Sequence, residues 1–307
     1  MNHREKPTTA NLENSPKLEK LPPAYSKLTK ITARNAKEIN AGLEKVYGLR
    51  NLVDESLHIN PQAFSRELGG IYDPEDVVND EETVTALDRL NSAADVENTQ
   101  KFYKDTYGID TVEGIIAKHR EKKEISKSNQ AEMAITALLH KVLRDRFLVV
   151  RTSMFDDYKN GIDNLILDKE TGAIICAFDE VLENDGDRNR GTSKKIEKIK
   201  KSAVLGGTRA KYAVALDQQK IVRSQARNIP VFYLALESKD LADLTNDLYH
   251  MQDGTTTDIE NKIFAHLITS ISEQKKMLEG LTLPPVMRKK LEEFESSLVT
   301  LKGYIKE

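Results

Sequence analysis

The sequence predicts an α/β protein in which a core of five strands is flanked on both sides by helical segments. Three observations carry this. Apolar residues recur at three- and four-residue steps through 31–57, 131–143 and much of 241–302, the period of an amphipathic helix. Short β-branched and apolar runs are confined to 147–150, 162–167, 173–181, 211–216 and 229–236. Prolines and glycines fall at the junctions between these segments, where chain breaks are needed. The 307 residues divide accordingly into a disordered tail (1–28), a helical domain (29–127), an α/β core (128–240) and a C-terminal helical hairpin region (241–307).

Each element has a local reason. Residues 1–28 carry four prolines and little apolar periodicity, so burial would not repay the entropy of ordering them. Ile39, Leu43, Val46, Leu49 and Val53 form one helical stripe, which His58-Ile59-Asn60-Pro61 ends because the residue before a proline leaves the α region. Shorter helical patterns follow at 85–90 and 99–107. Within 131–143, Ile135, Leu138, Leu139 and Val142 share a face. Asp168-Lys169-Glu170-Thr171-Gly172 has the composition of a tight reversal, so the strands at 162–167 and 173–181 should form a hairpin. A helix over 192–204 stops at Gly206-Gly207. The segment 218–227, between two further strands, reads as helical. Leu283-Pro284-Pro285 separates the last two helices, whose stripes should pack on the body of the protein, with a homodimer or protein-partner contact as the alternative.

Composition excludes several classes. The longest uncharged apolar stretches fall far short of the ~20 residues a membrane span needs, and residues 1–23 hold no apolar signal core, so an intracellular, cytoplasmic protein is expected. Cys176 is the only cysteine, which rules out an internal disulfide framework or a cysteine-based zinc cage. The net charge of −3 hides local asymmetry. Seven acidic and no basic residues lie between Asp73 and Asp88, whereas nine Lys or Arg stand against Glu197 alone between Arg188 and Lys211. The second cluster reads either as a polyanion footprint or as a solvated helix face.

Three acids fall where chemistry would need them. Asp163, in Gly161-Ile162-Asp163, opens an apolar strand, and Asp179 interrupts the end of Ile174-Ile175-Cys176-Ala177-Phe178. Buried strands avoid carboxylates, because desolvating a charge costs several kcal/mol unless something compensates it. A reversal at 169–172 pairs residues whose numbers sum to about 341 or 342, which sets Asp163 opposite 178 or 179. Neighbouring carboxylates with oxygen-only ligation suit Mg²⁺ or Mn²⁺. Glu132, one turn before Ile135, lies on the inward side of its helix and can reach the same place. Taken singly, each acid has a structural use: Asp163 as a strand-end cap, Glu132 at a helix N-terminus, and Asp179 as partner of a lysine in the basic helix. Their joint placement is the signal. His119, His140 and His250 are isolated from one another, Cys176 reads as core, and Gly206-Gly207-Thr208 lacks the lysine and spacing of a phosphate loop.

The order α-β-β-β-α-β, with an acid in the first helix, Gly161-Ile162-Asp163 on a strand and Asp179 near the end of its partner, resembles the PD-(D/E)XK nuclease superfamily over residues 130–236. That resemblance implies a restriction-endonuclease-like fold and Mg²⁺-dependent hydrolysis of phosphodiester bonds in DNA or RNA, DNA being preferred. It implies that Asp163 and Asp179 bind the metal and that Glu132 assists. Val181 stands where the family's E-x-K motif carries its lysine. Some family members move that lysine to the following helix, where Lys194, Lys195 and Lys198 lie here, with Lys195 and Lys198 one turn apart on one face. The alternative is a catalytically inactive nuclease-like module that binds nucleic acid or a protein. In either case Arg188, Arg190, Lys194, Lys195, Lys198 and Lys201 are the candidate contacts to the phosphate backbone. The Gln-x-x-x-Tyr signature of the RecB-like branch is absent from the helix after Asp179.

Overall fold

The structure, a computed structural model, describes residues 21–48, 51–63, 72–93, 96–183, 188–217, 220–250 and 255–306. In chain order these form α1 (Pro23–Tyr47), α2 (Pro74–Ala93), α3 (Val96–Tyr107), α4 (Val112–Glu124), α5 (Lys127–Leu143), β1 (Phe147–Arg151), α6 (Met154–Asn160), β2 (Asn164–Asp168), β3 (Ile174–Glu183), α7 (Arg188–Val204), β4 (Thr208–Asp217), β5 (Lys220–Ile229), β6 (Val231–Glu237), α8 (Ser238–His250), α9 (Asp258–Glu279) and α10 (Pro285–Lys302). Helix exceeds strand, as the periodicities require.

The central sheet has the order β1-β2-β3-β6, with β1, β2 and β3 antiparallel and β6 parallel to β3. The expected hairpin forms between β2 and β3, with Asn164 against Phe178 and Leu165 against Ala177. Its reversal works through Asp168, whose Oδ1 accepts from Glu170 N–H at 2.8 Å, and through Gly172, which takes the left-handed φ of 69°. Side chains alternate across the sheet. Phe147, Val149, Ile166, Cys176 and Phe178 face a cluster built with α5, α8, α9 and α10, and Leu148, Val150, Leu165, Leu167 and Ala177 face a second cluster shared with β4 and the chain around residue 52. Gln274 of α9 covers the β6 edge: its amide donates to Tyr233 O and accepts from Tyr233 N–H, both at 2.7 Å. The stripes of α9 and α10, including Ile263, Leu267, Ile271, Leu291, Phe294 and Leu298, are buried in the first cluster, so they pack on the body of the protein.

Four expectations are corrected. The tail read over 1–28 lies outside the described residues up to 20, but residues 23–28 belong to α1: Pro23 supplies a pre-set φ at the first helical position, and Tyr25 and Leu28 are buried. The helix expected to run to residue 57 ends at Tyr47, where Gly48 adopts φ 71° and donates to Glu44 O. The chain then doubles back through a bridge between Val53 and Ile59, held to α1 by Asn40, whose side chain pairs with both backbone groups of Val53. The strand at 211–216 does not join the central sheet. It lies in β4, which pairs antiparallel with β5 in a separate two-stranded sheet, so that the described part of the segment read as helical, 220–227, is extended. No glycine, proline or Asn-Gly marks the reversal between Asp217 and Lys220, and the pairing with β4 overrides weak local preference.

Candidate functional site

Asp163 sits at the opening of β2, joined to β3 from both sides. Its N–H donates to Phe178 O at 2.8 Å, and its Oδ2 accepts from Glu180 N–H at 2.5 Å. The register therefore brings Asp163 beside Asp179, as the pairing rule anticipates. Asp179 is 4% exposed. It is held by two lysines of α7: Lys195 Nζ donates to Oδ1, and Lys198 Nζ donates to Oδ2 at 2.7 Å. Lys198 Nζ also lies 3.4 Å from Gly161 O. The lysines proposed to replace the one missing at Val181 thus reach the β3 carboxylate directly, and the structural use of Asp179 as a lysine partner is realised too. Lys194 and Lys201 are exposed on the same helix, and the side chains of Arg188 and Arg190 lie outside the described residues.

Glu132 stands across the site on α5, where it accepts from Arg151 Nη2 at 2.6 Å. Arg151 ends β1 and is 3% exposed, a buried cation matched to a carboxylate. The carboxyls interact at close quarters. Burial first, then the charges of Glu132, Asp157 and Asp179, push the Asp163 carboxyl well above the ordinary carboxylate range. Burial likewise raises Glu132, against the opposing pull of Arg151.

Glu180 is the residue that sequence reasoning missed. Strand alternation sends it to the face opposite Asp179, toward α5. It is 3% exposed, and neither carboxylate oxygen has a well-formed hydrogen bond. Burial and the charges of Asp163 and Glu132 raise it well above its usual range, with the Asn164 amide alongside as a weak offset. The doublet Asp179-Glu180 was its only sign in the sequence. Among the described residues, no three carboxylate, imidazole or thiol groups converge into a ready-made metal cage.

A cavity of about 660 Å³ adjoins this cluster on the side of the helical unit, and Glu132, Arg151 and Asp157 form part of its wall. Tyr158 of α6 ties the two halves together, donating to Asp88 Oδ1 at 2.6 Å under the Lys123 ammonium, which lies 3.7 Å from its ring centroid. Cys176 is fully buried in the first cluster. Among the described residues, no helix is long and apolar enough to cross a membrane. No family model, curated protein or solved structure matches the chain, so what is said of its function rests on this geometry.

Proposed function

We propose that the chain is a divalent-metal-dependent nuclease that hydrolyses phosphodiester bonds of DNA on a PD-(D/E)XK-like core. The observation that carries the reading is the seating of Lys195 and Lys198 on Asp179, beside Asp163. A group that positions an attacking water has to be within hydrogen-bond reach of it, and both ammoniums lie against the carboxylate beside which that water would be held. The sheet order supports the same reading: α5, the antiparallel β1, β2 and β3, α7 and the parallel β6 follow the order α-β-β-β-α-β, with α6 inserted between β1 and β2 and the β4-β5 hairpin before β6.

The residues fit a hard dication. Mg²⁺ is bound by one or two carboxylates and completes its shell with water and phosphate oxygens, so a three-acid cage is not required. Asp163 and Asp179 would hold it; Glu180, buried on the other face of β3 and under the charge of Asp163, is the acid that would replace Asp179 as the second ligand. The crowding that raises the Asp163 carboxyl is the repulsion a cation would relieve. When bound, the metal supplies a more acidic water and charge stabilisation on the phosphate. The chain's own part is positional. Lys195 or Lys198, released from Asp179, orients the water in line and donates to a non-bridging phosphate oxygen. The water oxygen bonds to phosphorus and releases its proton to solvent, the bond from phosphorus to the leaving sugar oxygen breaks, and that oxygen takes a proton from solvent. Because α7 meets only the backbone, cleavage would be sequence-neutral.

One observation favours a second reading. Asp179 is neutralised by lysines and Glu132 by Arg151, so the site is largely charge-balanced as it stands, which suits an inactive module that binds nucleic acid through α7. Calorimetric titration with Mn²⁺ separates the two. The nuclease reading expects binding that Asp163→Asn abolishes and that Asp179→Asn or Glu180→Gln abolishes as the second ligand. Equal heats from wild type and all three variants overturn it in favour of the binding module.

A further inference from the structure

We infer that the cavity between α2, α4 and the core holds the base of one unpaired nucleotide, so that the strand presented to the site is single-stranded DNA. This deepens the nuclease reading and rests on it for the position of the phosphate. The volume of about 660 Å³ lies within the roughly 300 to 1,000 Å³ of sites that enclose small molecules.

The chemistry of the wall selects the base over the phosphate. Its cations are already paired: Arg120 Nε with Asp88 at 2.5 Å, Lys123 with Asp157 at 3.6 Å and Arg151 with Glu132 at 2.6 Å. The charges left over on the wall, such as Glu81 and Asp54, are acidic. A phosphate dianion would be repelled, whereas a neutral heterocycle with donors and acceptors on its edge would not. Such an edge has partners there. His58 Nδ1 lies 2.7 Å from Thr152 O, which puts the proton on that nitrogen and leaves Nε2 as an acceptor. Burial and the neighbouring Arg151 keep this imidazole neutral. Phe155 and Tyr158 add ring faces of the kind on which bases stack.

Position links the cavity to the cluster. Glu132 and Asp157 line it, and after burial theirs are the two charges that act most strongly on Asp163. A nucleotide with its base inside therefore leads its phosphate toward Asp163. A base so enclosed cannot be paired, and extracting one from a duplex costs unstacking energy that a single strand does not pay.

The test reads binding without hydrolysis. Fluorescence anisotropy in EDTA, with a labelled single-stranded 12-mer and the same sequence as duplex, should show tighter binding of the single strand. Val84→Trp, on α2, and Gln62→Trp each fill the cavity from its lining, and neither position is an acid or lysine of the site. Either should weaken single-strand binding by about tenfold, roughly 1.4 kcal/mol of lost stacking, and leave duplex binding unchanged. Either should also abolish the fluorescence change of a 2-aminopurine placed in the strand. Equal affinity for both forms, or unchanged single-strand binding in both folded variants, overturns the inference. Single-strand preference that the fillings abolish, without any Asp163-dependent hydrolysis, defeats the nuclease reading alone. Asp163-dependent hydrolysis with unaltered cutting of single strands by the filled variants defeats the cavity alone.

Discussion

Replacing Lys195 and Lys198 together by alanine should destabilise the protein far more than the two single changes suggest. The Asp179 side chain is 5% exposed, while those of Lys195 and Lys198 are 31% and 53% exposed. Either lysine alone still neutralises the carboxylate, so each single replacement should cost no more than about 1 kcal/mol, the range for partly exposed pairs. Removing both leaves a buried, uncompensated charge, a situation that costs about 3 to 5 kcal/mol. The expected coupling is therefore about 1 to 3 kcal/mol beyond the sum of the singles. Adding Asp179→Asn to the double variant should recover most of the loss, because the charge is gone. Mn²⁺ at a hundredfold excess over its Kd should recover about 2.7 kcal/mol by binding the folded state. Urea unfolding at pH 7, with the slope checked for constancy, reads all of these. Additive single effects, or no recovery on Asp179→Asn, would refute the claim that the two lysines share one carboxylate.

Three further outcomes follow from other parts of the structure. His140 is 6% exposed, and burial lowers its pKa to about 4, the nearby Glu38 carboxylate opposing the shift. The folded state then holds it neutral while the unfolded chain protonates below about 6.5, so its contribution is complete above that pH and is lost as pH falls toward 4. His140→Leu should remove up to about 3 kcal/mol of that acid-side loss in urea midpoints compared at pH 7 and pH 4.5. Gly207 has φ 89°, and a Cβ there would meet Met287 Cε at 2.5 Å and Ile229 O at 2.8 Å, so Gly207→Ala should cost about 2 kcal/mol by the same assay. Lys194 and Lys201 lie two turns apart on α7 and are exposed, and replacing both by alanine should flatten the slope of log affinity against log salt for duplex DNA by about two units.

The β2-β3 hairpin and its register were legible because Asp168 to Gly172 marks the reversal and the apolar residues on either side leave no second way to pair. The same register sets Asp163 beside Asp179, which the sum rule of the hairpin alone conveys. The helices of 258–302 were legible for a similar reason, since their stripes are long and end at Pro284-Pro285. β5 was not, because Arg223, Gln225 and Arg227 alternate with small residues and no turn residue precedes them. The place of β6 beside β3 depends on a parallel crossover, which local pattern does not encode. Glu180 was hidden by adjacency: one residue from Asp179 in sequence, it faces the other side of the sheet. The cavity was beyond sequence reading, since its walls come from residues as far apart as Asp54 and Tyr212.

The proposed function makes Asp163 the anchor of metal-dependent cleavage of DNA. Its most direct test is incubation of the purified chain with single-stranded, linear and plasmid DNA in Mn²⁺, alongside Asp163→Asn at equal concentration and equal stability. Wild type should shorten the single strand, EDTA should stop the reaction, and Asp163→Asn should lose it by at least about a hundredfold. Intact DNA in every wild-type sample, or cleavage that Asp163→Asn leaves unchanged, would contradict it.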